Sequence, residues 1–278
     1  MRSHASTAAR RLRSESKSST RGTIRRQPAI ELWFALAKAL DRLGDDLLAG
    51  WDLPTDDSRK VVTGALFMQV HKSFRGSLIL AKHGLPGDAN TVLRSATEAV
   101  IALHALGADP AFTRRLIQSH FSGTTRLART VVDNRSYHQE LDGASIQDLT
   151  ATASGADARR HGFDEKPSKI HWDQVARTHC PELYDLVYRL LSTYGTHVNL
   201  HRLDEQLRTD EQGGVLGLNR GPTTQGLEFT LQSACMILLH AARVVANVLE
   251  RPGFEDRLRF QLRRFADLAD LASGRVPP

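Results

Sequence analysis

A chain of 278 residues with 41% hydrophobic content is long enough to bury a sizeable core in one large or two small domains. Its two cysteines, Cys180 and Cys235, are too few and too far apart for a disulfide framework or a zinc site. The net charge of +6 resides in residues 1–27, which hold eight basic groups and one acid, so the body from residue 28 onward carries −1 and has no basic surplus for nucleic acid.

Residues 1–27 are rich in Arg and Ser and contain few large apolar side chains beyond Leu12 and Ile24, which predicts a disordered basic tail. Any contact with nucleic acid is expected through this tail alone. A mitochondrial transit peptide shares the composition, but no apolar run follows as in a secretory signal. The thiols read as reduced and buried, which points to the cytoplasm.

Pro28 opens the first periodic segment, where Ile30, Trp33, Phe34, Ala37, Leu40, Leu43 and Leu47 recur at three and four residues up to Gly50. The acidic turn Asp56-Asp57-Ser58 predicts a second helix ending at Gly84, and Pro86-Gly87-Asp88 a third, from Ala89 to Leu106. Asp109-Pro110 is a start signal for a fourth helix reaching about Asn134. Residues 139–169 lose all apolar periodicity and read as a long loop with one short helix at most. Shorter helices are expected near Trp172–Thr178, Pro181–Tyr194 and Thr196–Arg208. Four glycines between Gln212 and Pro222 predict a turn, with a small hairpin around Val215-Leu216. Two long helices, about Thr224–Glu250 and Phe254–Ala272, complete an all-α, multi-helix bundle forming one domain over 28–278. The apolar stretch Phe229–Ala242 is too short and too polar to cross a membrane, so it is expected in the core.

Screens for phosphate-binding, dinucleotide-binding, zincin, C-x-x-C and nucleophile-elbow motifs are empty, so no cofactor is expected. The informative anomaly lies on the third helix, which is apolar almost all round yet carries Arg94 and Glu98 one turn apart. Arg preceding Glu is the weaker i,i+4 order, so helix stability alone explains the pair poorly. Either the two form an internal salt bridge that sets bundle register, or they bind a ligand. Both are expected to face the bundle interior, with a polar group from the His197 segment in reach. On a helix over 196–208, His197, His201 and Asp204 would share one edge, either as a solvated polar face or as weak candidates for a metal or proton relay.

The run from Gly84 to Glu98 followed by Asp109-Pro110 resembles a group of bacterial helical proteins known only as a domain of unknown function. That group has an R-S-x-x-E helix, matched by Arg94, Ser95 and Glu98, and a later L-S segment followed by a histidine, matched by Leu191, Ser192 and His197. The chain departs from the pattern at Val198, where proline is expected. The resemblance spans roughly residues 60–205; it implies an all-helical fold and singles out Arg94, Ser95, Glu98 and His197 without implying an activity. Two functional readings follow. The first is a helical module that binds a small ligand or protein partner at a polar pocket around Arg94 and Glu98, with Ser95, His197 and His201 as further contacts. The second is a metal-independent, HEPN-like ribonuclease of toxin or phage-defence type, with His120 or His197 beside an arginine in a groove at a homodimer interface. Arg114 and Arg115 have the required spacing to His120, but chance supplies that spacing at least as often as it occurs.

Overall fold

The computed structural model describes residues 19–50, 52, 54–134, 136, 141–163, 169–193, 203, 206–210, 212–219 and 221–273. Four helices come first: α1 (Ser19–Leu48), α2 (Ser58–Lys82), α3 (Pro86–Ala108) and α4 (Phe112–Asp133). Two short ones follow, α5 (Gly143–Ala153) and α6 (Ala156–Arg160), and then α7 (Trp172–His179). A π-helical segment, Leu183–Tyr188, continues into the single turn α8 (Arg189–Leu191). A two-stranded antiparallel ribbon, β1 (Leu207–Thr209) and β2 (Val215–Leu218), pairs Leu207 with Leu218 and Thr209 with Val215. The long helices α9 (Leu227–Val248) and α10 (Glu255–Ser273) close the bundle, joined by a 3-10 turn at Pro252–Phe254. The all-α bundle with one small hairpin is therefore as the periodicity predicts.

Two helices form its centre. In α3 the buried set includes Leu93, Ala96, Ala99, Val100, Ile101, Ala102, Leu103 and Leu106, and these positions run round the helix. In α9 it includes Leu231, Cys235, Ile237, Leu238, Ala241, Ala242 and Val245. Alanines on both let the axes approach closely; a Cβ on Gly107 would lie 3.0 Å from Val244 Cγ1. Around this pair pack α2, α7 and the π segment, while α1 and α10 cover the far side of α9. Helix α9 is long and apolar enough to cross a membrane, yet 72% of its apolar window is buried inside the bundle.

Three boundaries differ from expectation. Helix α1 begins at Ser19 and runs through Pro28, so the helix that the periodicity predicts from Ala29 starts ten residues earlier. Arginine is a good helix former, and one missing N–H costs a long helix a single hydrogen bond. The predicted loop at 139–169 instead holds α5 and α6. Asp142 caps α5 by accepting from the Ser145 amide at 2.7 Å, and Arg129 donates to the Ala153 carbonyl at its other end. No residue of α5 is buried, so there was no apolar period to read. Within the predicted helix 196–208, Leu207 and Arg208 belong to β1; the stretch 194–202, with His197 and His201, and Asp204 lie outside the described residues.

Candidate functional site

The polar cluster forms where α3 faces the π segment. Pro181 starts that helical stretch, and along it Tyr184, Tyr188 and Ser192 follow at intervals of four, with the Tyr188 and Ser192 hydroxyls meeting α3. The two tyrosine rings stack with centroids 5.4 Å apart and planes 16° from parallel. Arg94 reaches into this row. Its Nε donates to Ser192 Oγ at 3.1 Å and its Nη2 to the Tyr188 hydroxyl at 3.0 Å. Tyr188 in turn donates to Glu98 Oε1 at 3.0 Å, and Arg94 Nη2 lies 3.4 Å from the same oxygen. The guanidinium also sits over the Tyr188 ring, 5.2 Å from its centroid.

Both charged side chains keep contact with water, at 29% exposure for Arg94 and 35% for Glu98. The pair therefore lines an open seam between helices and not the bundle interior expected from the apolar α3. Partial hydration removes most of the penalty that a fully buried pair would carry. Among the described residues the partners are Tyr188 and Ser192; the contact expected from the His197 segment falls outside those residues. Ser95 is exposed on α3, and no described hydrogen bond links it to the cluster. Burial raises the Tyr188 phenol first, and the Glu98 charge and hydrogen bond raise it further against the opposing Arg94. The phenol thus stays a neutral donor throughout the physiological range. Tyr188→Phe removes one donor and one acceptor at a partly hydrated position, and it should lower stability by about 1 kcal/mol in urea unfolding. A loss above about 3 kcal/mol would mean that the cluster is dry and closed.

A second cluster was not singled out from the sequence. His104 on α3 and His240 on α9 meet across the centre, Nε2 to Nδ1 at 3.2 Å. Burial, then His240, Arg243 and His179, push His104 down to about 4. His240 is lowered by burial and by Arg243, with Glu182 opposing. Both imidazoles are neutral near pH 7, so one N–H donates to the other ring. The only trace in the sequence was a lone histidine in each of two apolar helices, a pattern more often seen in cores than in sites.

The remaining candidates sit apart. Arg114 donates to the Gly162 carbonyl and lies over Phe163, and Arg115 pairs with Asp109; His120 is exposed, with its ring against Phe121. No described hydrogen bond joins either arginine to His120. Cys180 and Cys235 are free and buried; burial pushes Cys180 up to about 11 and raises Cys235 as well, so neither is a thiolate nucleophile. Among the described residues no group of three or more His, Cys, Asp or Glu is placed to hold a metal ion.

A family model described as a family of unknown function, DUF5677, matches residues 60–214, which contain Arg94, Glu98, Tyr188 and Ser192. No curated protein and no solved structure matches the chain.

Proposed function

The chain belongs to this family of unknown function, and we propose that it is a cytoplasmic binding module that holds a small polar ligand at Arg94 and Glu98. The observation that carries the reading is the Tyr188 hydroxyl, which joins the guanidinium to the carboxylate while both keep a solvent-facing side. A bound molecule can therefore replace water without opening the core. It would meet a cationic donor, an anionic acceptor and a phenol within one small area. That set suits a ligand carrying an anionic group beside a hydrogen-bond donor, as in an α-amino acid.

The placement of this array on a π-helical segment supports the same reading. Widened helical turns are uncommon, are less well hydrogen-bonded than α-helix, and occur often at functional sites. Neither thiol takes part in a disulfide, which supports a reducing compartment.

Thermal unfolding against a panel of α-amino acids and small carboxylates tests the proposal. At a hundredfold excess over Kd a ligand should stabilise the protein by about 2.7 kcal/mol, raising Tm by roughly 5–10 degrees. Arg94→Gln and Glu98→Gln should each abolish the response. A response that survives in both variants would end the proposal. Cleavage of single-stranded RNA by the pure protein, lost in His120→Ala, would replace it with the ribonuclease reading.

A further inference from the structure

We propose that the groove between the end of α9 and the start of α10 binds a small amphipathic monoanion, a carboxylate or phosphodiester with a compact apolar body, whose charged head sits on Arg243. The groove encloses about 600 Å³, within the range of small-molecule sites. Ala246 and Leu258, both buried, and the half-exposed Leu262 give it an apolar floor. Arg243 and Asn247 stand at one side, one turn apart on α9.

Pairing of the other charges decides the sign of the ligand. Glu250 is neutralised by Lys60 at 3.2 Å, and Glu255 by Arg259 at 3.1 Å, with Asp256 on the same guanidinium. Arg251 keeps its charge, but its guanidinium is held by the carbonyls of Asp46 and Ala49 and lies over the Phe254 ring. Among the described residues lining the groove, Arg243 alone is a cation with no hydrogen-bond or ion-pair partner. The last turn of α9 and the first turn of α10 meet here with opposite partial charges that largely offset one another. The Arg243 guanidinium above an apolar floor therefore favours a monoanion with a hydrocarbon portion.

The backbone adds a second, independent sign. Glu250, at φ 55°, is the only non-glycine residue with positive φ among the described residues. It occupies the position past the α9 C-terminus where glycine is usual, as the Arg251 amide returns to the Ala246 carbonyl at 2.8 Å. A glycine would relax the chain but would leave Lys60 as a second free cation. Glu250 instead keeps its carboxylate on Lys60 despite the left-handed backbone. The groove lies wholly in α9, α10 and their connection, outside residues 60–214 and separate in sequence from the Arg94 cluster.

Calorimetric titration of the full chain with octanoate tests the assignment. Saturable one-site binding is expected, weakened roughly tenfold in Arg243→Gln, which loses a charge-assisted contact, and unchanged in Arg94→Gln. Octanol, with the same tail and no charge, should bind more weakly than octanoate. Because Arg243 lowers both His104 and His240, bound octanoate should also move the imidazole NMR titrations upward. Absence of saturable binding, or binding unaffected by Arg243→Gln, would overturn the proposal. So would Arg243-dependent attachment to phosphatidylglycerol vesicles without octanoate binding, which would assign the same headgroup chemistry to a membrane surface.

Discussion

Gly84→Ala should lower the free energy of unfolding by about 2–4 kcal/mol. Gly84 ends α2 at φ 71°, where its amide donates to Ala81 and the Leu85 amide donates to Leu80, the paired bonds of a Schellman motif. An alanine there pays about 1 kcal/mol for the left-handed conformation. The larger part is steric. The new Cβ would lie 2.4 Å from Pro222 Cβ and 3.0 Å from the Thr223 nitrogen. These belong to the segment entering α9, which is tied down by the Thr223 amide donating to the Gly84 carbonyl at 2.9 Å. Neither neighbour is a flexible side-chain tip, so the backbone must move. Because α3 starts at Pro86, the displacement also reaches the helix that carries Arg94. Urea unfolding measures the loss, and a change below about 1 kcal/mol would show that the Pro222 segment yields freely.

Acid should destabilise the protein through the His104–His240 pair. His104 is held at about 4, below its ordinary 6.5, because burial beside His240, Arg243 and His179 disfavours the imidazolium. Above about pH 6.5 the ring is neutral whether the chain is folded or not, and no penalty arises. As pH falls from 6.5 toward 4, the unfolded chain takes up a proton that the folded chain refuses, so stability declines across that window. The loss is of order 2–3 kcal/mol once partial exposure of the ring is allowed for. His240, lowered by the same burial, adds to it in the same direction. The measurement is the unfolding free energy at neutral pH and near pH 4 in the parent and in His104→Leu/His240→Leu. Equal pH slopes in the two proteins would remove the pair as the cause.

What could be read from the sequence follows what local chemistry encodes. The ends of α2 were legible because Asp57 caps one, accepting from the Lys60 amide, and Gly84 closes the other. Arg94 and Glu98 stood out because they interrupt an apolar circumference, a property of α3 alone. Their partners did not, because Tyr188 and Ser192 lie 94 and 98 residues beyond Arg94 and reach it only through π-helical turns that carry no local pattern. The expected burial of the pair failed for the same reason. An apolar helix tells how much of its surface is covered, not whether its cover is dry. His104 and His240 were hidden among the very residues that make α3 and α9 core helices. Helix α5, buried nowhere, left no periodicity to detect.

The position of α9 separates ancestry from autonomy. The matched span ends at residue 214, yet its central helix α3 leans for its whole length on α9, which begins at Leu227. Asn90 meets Thr230 at 2.9 Å, His104 meets His240, and Gly107 abuts Val244, so the contacts advance along both helices in the same sense. The recognisable segment is thus an unfinished body whose inner wall comes from beyond its own limits. In this chain the matched span is therefore not a packing unit by itself. Substitutions on the α9 face that meets α3 should therefore unsettle the matched span as much as substitutions within it.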